Sequence, residues 1–550
     1  MKHHVPEFRV KHHVPELRAF DNRMESIEKN ARPNMRLRLI ASCVAILLFG
    51  LCCIYVIYVH ATAGVLPYDD SFITFRYVSN LFNGKGLVYN PGERVFGSST
   101  PLYVVWLILL KAIAPSADIP ALAARGNAIF YAVSGIGMLF LVRSLLDSTA
   151  AGAIAASLFL MRFDMLAVST GGNEMFLFAS LVLWSFFFLM KRRYLLSGAL
   201  AGLSIMARPE GVFCAFLCGM VWLLRDRKKP VLFATSIAAP GLIWTVFALA
   251  YYGTPIYHSL IAKSQPLYPF PPGFAFHYIA GKLAFWTVGR EHGAYDMWIV
   301  VAAAVAGFVF FQRREERRTW FVVPSFMGLI LLFYAVSNPF VFDWYLLVVF
   351  LGWFPLVAVG LARLFSGAAA ATRAKHGAGT TSFLLRGLSV AIPTVLLTNS
   401  ALFSWQTRDQ NNPPGYLPRD HAELRVLVYK QVAEFINSVG KPSDTIAAPE
   451  VGALGYYSRN HLYDACGLVT PEAIPFLPVP FGKRVGPNVG SISADFARAV
   501  HADWIVTMEV FSIESLVDDP WFRENYALVT AFPLLFHTFS SDNVLVYHRR

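Results

Sequence analysis

Long apolar runs separated by short basic clusters recur along this chain, and they restrict its fold more than any other feature. The first covers residues 38–60. Others lie near 101–114, 124–146, 149–165, 172–190, 195–208, 211–225, 231–252, 296–312, 319–338, 343–365 and 385–404. About 20 apolar residues in a helix cross the hydrocarbon core of a bilayer. The chain is 56% hydrophobic and only 15% charged, where soluble domains run nearer a quarter charged. An integral membrane protein with many spans follows. Its net charge of +12 then belongs to cytoplasmic loops and lipid headgroup contacts, not to nucleic acid. The six cysteines show neither a disulfide framework nor zinc-ligand spacing.

Basic clusters set the expected orientation. Arg32, Arg36 and Arg38 precede the first run, which is long enough to span rather than to act as a cleavable signal. Lys191-Arg192-Arg193, Arg225 to Lys229, Arg313 to Arg318 and the segment from Arg363 to Arg386 form the later clusters. Placing all of them inside predicts a cytoplasmic N-terminus in a multi-pass plasma-membrane protein, with the loop 253–295 and everything after 405 outside. Twelve full spans would bring the C-terminus back inside, so about eleven are expected. The short 101–114 run, which contains Lys111, is then re-entrant or flat on the surface. Residues 1–37 are polar, repeat KHHVPEFR as KHHVPELR, and read as a disordered cytoplasmic tail. The expected divisions are this tail, a membrane domain over 38–404 with long outer loops at 61–100 and 253–295, and an outer domain over 405–550. In the last, His421 to Val439 reads as an amphipathic helix. Segments at 445–448, 461–463, 504–507 and 544–547 read as short strands. A small extracytoplasmic α/β domain is the result.

The loop after the first span is unlike the rest. Residues 68–100 read YDDSFITFRYVSNLFNGKGLVYNPGERVFGSST, with adjacent acids Asp69 and Asp70, two arginines and four glycines. A carboxylate at the water–membrane boundary can accept a proton from an attacking hydroxyl. A second beside it can orient the acceptor, hold a divalent cation, or raise its neighbour's pKa. The competing reading is a solvated helix cap. SFITFRYVSNLF has apolar residues at helical spacing and is expected to lie along the membrane interface.

Six stretches in order carry a family resemblance: the Asp-Asp loop, NGKGLVYNPGERVFGSSTPLY (83–103), GGNEMFLF (171–178), ARPEG (207–211), YGTPIYHSLIAK (252–263) and VGALGYYSRNHLYDACGLVTPE (451–472). Together they resemble bacterial GT-C glycosyltransferases, most of all the group with the mycobacterial terminal β-1,2-arabinofuranosyltransferase. The resemblance implies a polyprenyl-phosphate sugar donor, an envelope glycan, lipid or protein acceptor, an extracytoplasmic active site, and a catalytic role for Asp69 or Asp70. Two motifs depart from the family pattern. Gly172-Asn173-Glu174-Met175 keeps the glutamate but loses a threonine. Tyr252 to His258 loses a proline and an amide.

Other candidates follow from charge in apolar surroundings. Glu174 stands at the outer end of an apolar helix, where an ionisable group faces a cavity or a partner. Arg208 and Glu210 sit at the tip of an apolar hairpin, either as a structural pair or lining a donor groove. His258 and Lys263, with Arg76 and Arg94, are candidate ligands for the donor phosphate, and a headgroup anchor would explain Lys263 equally. Tyr456 and Tyr457 are candidate stacking platforms for an acceptor glycan. The sequence has no Walker loop, dinucleotide fingerprint, HExxH or nucleophile elbow. A transporter or flippase of lipid-linked sugars is the alternative from another class. It fits less well, since the halves show no internal repeat and the acids concentrate in loops. A scaffold with a dead site is the third reading.

Overall fold

The computed structural model describes residues 39–225, 227, 229–265, 270–288, 321–360, 421–484 and 491–550. The expected runs at 296–312 and 385–404 lie outside them, as does the N-terminal tail. The helices in order are α1 (Leu39–Thr62), α2 (Asp69–Phe82), α3 (Pro101–Ile113), α4 (Ile119–Leu146), α5 (Thr149–Leu160), α6 (Phe163–Ser169), α7 (Met175–Met190), α8 (Tyr194–Ala207), α9 (Gly211–Arg225), α10 (Pro230–Tyr252), α11 (His258–Ser264), α12 (Phe274–Val288), α13 (Val322–Ser337) and α14 (Leu346–Gly360). Among the described residues α1, α4 and α10 are long and apolar enough to cross a membrane. The most apolar stretch of α4 is 50% buried, against 17% for α1 and 11% for α10. α4 is therefore central, and α1 and α10 form the lipid-facing rim.

Small residues bring the membrane helices together, as expected where lipid supplies no hydrophobic drive. Gly198 and Gly202 lie one turn apart on α8, facing α10. A Cβ on Gly202 would stand 2.1 Å from the Ile237 carbonyl oxygen, so only glycine permits this approach. Tyr131 of α4 packs on Phe176 of α7 at 4.4 Å between ring centroids, and its hydroxyl donates to the Leu160 carbonyl of α5 at 2.7 Å. α8 stops at Ala207 because Pro209 follows, and α9 restarts at Gly211. The apolar helix pair thus turns at a charged corner, Arg208 to Glu210.

The C-terminal part adds α15 (Arg425–Val439), β1 (Thr445–Ala448), α16 (Ala453–Tyr457), β2 (His461–Asp464), α17 (Ala494–Val500), β3 (Trp504–Met508), α18 (Pro520–Asn525), β4 (Tyr526–Thr538) and β5 (Ser541–Arg549). Its five strands lie in the order β2-β1-β3-β5-β4. β1 runs parallel to β2 and β3, whereas β5 is antiparallel to β3 and β4. Three strands begin where the sequence placed them. The long hairpin strand β4 was not among the expected strands; it contains Pro533, whose missing donor its edge position tolerates.

The helix α2 departs from expectation. It forms where the pattern predicted, but ten of its 14 residues are buried against other parts of the protein. Phe72 and Phe75 meet Tyr456 and Tyr457 of α16 at 5.5–6.2 Å. Each fully buried phenylalanine contributes roughly 1.5–3 kcal/mol. Two turns into α2, Arg76 fastens it to the sheet. Its guanidinium donates to the carbonyls of Tyr89, Gly455 and Asn460, and to Asn90 Oδ1 at 3.3 Å, and it lies over the Tyr89 ring. Asn90 extends the edge of β2 by donating to the Leu462 carbonyl at 3.0 Å and accepting from its amide at 3.2 Å. Tyr89 donates its hydroxyl to the Val451 carbonyl at 2.6 Å. On the other flank, Tyr251 and Tyr252 of α10 bond the amide and carbonyl of Leu87.

Replacing Arg76 with methionine leaves buried carbonyls without donors, at an expected cost of about 3 kcal/mol or more. Arg76→Met should lower the melting temperature in detergent and expose the loop 83–100 to protease. Wild-type melting and cleavage would show that Arg76 is not the fastener.

Candidate active site

The two adjacent acids have opposite environments. Asp69 opens α2 and is buried, while Asp70 is exposed. Both oxygens of Asp69 accept amide hydrogens from the start of α16: Oδ2 from Gly452 at 3.1 Å and Oδ1 from Ala453 at 2.8 Å. The membrane side holds the same turn. The Gly171 carbonyl accepts from the Tyr68 amide at 3.0 Å and from the Ser71 hydroxyl at 3.0 Å. Asp69 is thus gripped between the loop at Gly171 and the C-terminal sheet, and Asp70 projects free of both. Burial pushes Asp69 up to about 7, with Glu450 and Asp70 adding to it and Arg425 and the Ala453 amide opposing. Arg425 is fixed by Glu450, Nε to Oε1 at 2.6 Å.

A second cluster gathers residues far apart in sequence. Arg208, at the α8–α9 corner, pairs with Glu174 at the start of α7 and with Glu210 at 2.8 Å. Glu210 also accepts the Tyr334 hydroxyl at 3.0 Å. The guanidinium lies over the Tyr345 ring, 4.7 Å from its centroid. Lys263, on α11, feels the charges of this group. Tyr345 raises its pKa most, burial opposes, Asp70 and Glu174 add to the rise and Arg208 counters it. Lys263 makes no ion pair within 4.0 Å among the described residues, whereas two carboxylates offset the charge of Arg208. Lys263 is therefore a cation available to an incoming anion, and the charge of the exposed Asp70 acts on it.

The remaining candidates fall into place around these two clusters. Arg76 is occupied by backbone carbonyls of its own chain, so its geometry is that of a fastener rather than the phosphate contact its sequence suggested. Arg94 is exposed and lies over the Tyr251 ring at 4.7 Å. His258 donates its amide to the Phe96 carbonyl, its Nε2 lacks a partner among the described residues, and burial lowers its pKa. It therefore carries no charge for a phosphate near neutrality. Tyr456 donates its hydroxyl to Asp118 at 3.2 Å and Tyr457 lies under Lys430. Both are half-buried against Phe72, not open platforms. Each oxygen of Asp69 accepts one amide hydrogen and Asp70 is exposed. Among the described residues no three His, Cys, Asp or Glu side chains gather to hold a metal ion. Sequence reasoning missed Tyr345, Arg425, Gly452 and Ala453. Arg425 and Tyr345 stand among apolar residues, a signal that also marked Arg208; nothing local marks two backbone amides.

The Asp69 shift makes a testable statement about stability. A folded pKa above the ordinary carboxylate value of about 4 stabilises the fold fully below pH 4, and that stabilisation is lost as pH rises through 7. Between these limits the slope is at most about 1.4 kcal/mol per pH unit. Melting in detergent should fall more steeply from pH 5 to pH 8 for the wild type than for Asp69→Asn. Parallel slopes would remove Asp69 from the account.

Comparison with known proteins fits this geometry. A domain of unknown function (DUF8728) matches residues 417–547. Over 272 residues the chain is 26% identical to the terminal β-(1→2)-arabinofuranosyltransferase of Corynebacterium glutamicum, covering 43% of this chain and 37% of that protein. The chain thus spans just over a third of the length of that curated relative. ArnT from Cupriavidus metallidurans, solved bound to undecaprenyl phosphate, superposes with a TM-score of 0.56 at 11% identity, over 91% of this chain and 97% of ArnT. The Archaeoglobus fulgidus oligosaccharyltransferase tethered to an acceptor peptide gives a TM-score of 0.50 at 12% identity, over 91% and 74%. At these identities the likeness establishes fold. The chain has the GT-C fold of multi-pass membrane proteins, and in sequence it resembles a terminal arabinofuranosyltransferase.

Proposed function

We propose that this protein is a GT-C glycosyltransferase that moves a sugar from a polyprenyl-phosphate donor to a cell-envelope glycan, lipid or protein acceptor at the outer face of the plasma membrane. Arabinofuranose is the candidate sugar, on the strength of the Corynebacterium relative. The carrying observation is an exposed carboxylate, Asp70, next to an Asp69 held by two backbone amides, together with Lys263, which makes no ion pair among the described residues and whose pKa the charge of Asp70 helps to raise. The acceptor hydroxyl gives its proton to Asp70 as its oxygen attacks the anomeric carbon. The bond from that carbon to the phosphate oxygen breaks, and the polyprenyl phosphate leaves with the bonding electrons. Lys263 carries the phosphate charge, with Arg208 behind it, and Asp69 sets the position of Asp70. ArnT, which shares the fold, was solved with undecaprenyl phosphate bound, which supports a lipid-phosphate donor here.

The basic clusters place the N-terminus inside and the C-terminal sheet outside. This puts Asp70, Glu174, Arg208 and Lys263 on the outer side together, since α7 runs from Glu174 towards Lys191-Arg192-Arg193. The transporter alternative draws less support, because the fold is that of proteins named as transferases.

Asp70→Asn should reduce transfer by about 10²- to 10⁴-fold in a detergent assay with purified donor and acceptor, while expression and membrane insertion stay unchanged. Near wild-type turnover in that variant would reject Asp70 as the base. Lys263→Ala should raise the Michaelis constant for the donor on the order of ten- to a hundredfold, with less effect on the acceptor's. An equal donor constant in detergent would make Lys263 a headgroup anchor and shift the phosphate role to Arg208 or Arg94.

A further inference from the structure

We propose, building on the transfer reaction above, that the C-terminal sheet completes the active site. The amides of Gly452 and Ala453 hold Asp69 and thereby aim Asp70, so Gly452 is a positioning residue for catalysis although it touches no substrate. The contact is close and specific. A Cβ on Gly452 would lie 1.9 Å from the Asp69 carbonyl oxygen and 2.5 Å from its Cγ. No side chain fits there without separating the two segments. The loop at 449–453 is therefore shaped to receive the first turn of α2, and both Asp69 oxygens are used in doing so.

The rest of the interface serves the same end. Arg76 ties α2 to Gly455 and Asn460, a few residues beyond Gly452. Tyr89 ties the following loop to Val451, next to Gly452. Gly171 pins the first turn from the membrane side. A helix start restrained at this many points, with one exposed carboxylate left over, has the design of a site in which direction matters. A reacting group displaced by about 1 Å can cost on the order of a hundredfold in rate. The charged and titratable groups facing Asp69 are Asp70 on its own helix, Tyr89 on the loop, and Arg425, Tyr429, Glu450 and Cys466 on the sheet side. Most of these belong to the sheet, so sheet docking also sets the charge state of Asp69.

The test uses the full-length protein in detergent and two variants. Gly452→Ala should lower kcat by on the order of ten- to a hundredfold while changing the donor KM less than about threefold. It should also remove hydrogen-exchange protection from amides 70–75 but not from α4 or α7. Asp69→Asn keeps size and shape but turns an amide hydrogen towards an amide donor. It should lower kcat by about tenfold, and the wild type should show a kcat inflection near neutral pH that this variant lacks. Wild-type kcat and exchange in Gly452→Ala would overturn the proposal, as would an unchanged pH profile in Asp69→Asn. A wild type that transfers sugar from no polyprenyl-phosphate donor would defeat the transferase reading separately. The exchange measurement then still decides whether the sheet orders the acid pair.

Discussion

The grip of two backbone amides on the Asp69 carboxylate is the interaction on which the rest of this structure depends. It links residues 383 and 384 positions apart, and it joins two parts with different solvents, a helical body made for lipid and a mixed sheet made for water. Neither flexible linkers nor apolar contact alone would fix their relative direction. An acid held at two points and buried from water does so, because any rotation breaks both bonds and leaves buried polar groups unpaired. Arg76, Tyr89 and Asn90 then extend the joint along the edge of β2, and Phe72 and Phe75 fill the space beneath it.

The second constraint is electrostatic and lies in the membrane body. Arg208 is buried at a helix corner, and a lone guanidinium there would be prohibitively costly. Glu174 and Glu210 neutralise it, Tyr334 satisfies Glu210, and Tyr345 covers the guanidinium face. This network closes on itself. It forms a charged floor whose carboxylates are paired, and its charges act on Lys263 together with that of Asp70. A paired floor and a held first turn of α2 are what a transfer reaction asks of its site, since little reorganisation then accompanies the development of charge.

The sequence foretold the membrane class, the helix α2, most of the sheet and the charged residues of the floor. The physical reason is that each is a strong local violation: charge in an apolar run at Arg208 and Glu174, a carboxylate pair at a span's end, and apolar spacing in SFITFRYVSNLF. What stayed hidden was relational. Nothing local tells that Arg76 would turn towards carbonyls of the sheet, or that Tyr456 and Tyr457 would cover Phe72 instead of facing a glycan. Asp69 and Asp70 are alike in sequence, and only the approach of Gly452 distinguishes them. β4 went unread, and its edge position is a property of the assembled sheet that no local pattern reveals. The corner at Arg208-Pro209-Glu210 was legible as a pair, and Glu174 as an acid in need of a partner, but the aromatic partners Tyr334 and Tyr345 were not.

A structure of the protein with a non-hydrolysable polyprenyl-phosphate sugar analogue bound tests the central claim most directly. The account predicts the phosphate at hydrogen-bond distance, about 3 Å, from Lys263 Nζ. It also predicts the anomeric carbon turned towards Asp70, with Asp69 still bonded to the Gly452 and Ala453 amides. A phosphate seated away from Lys263 and Arg208, or an acid pair released from the sheet with Asp69 facing the sugar, would contradict it.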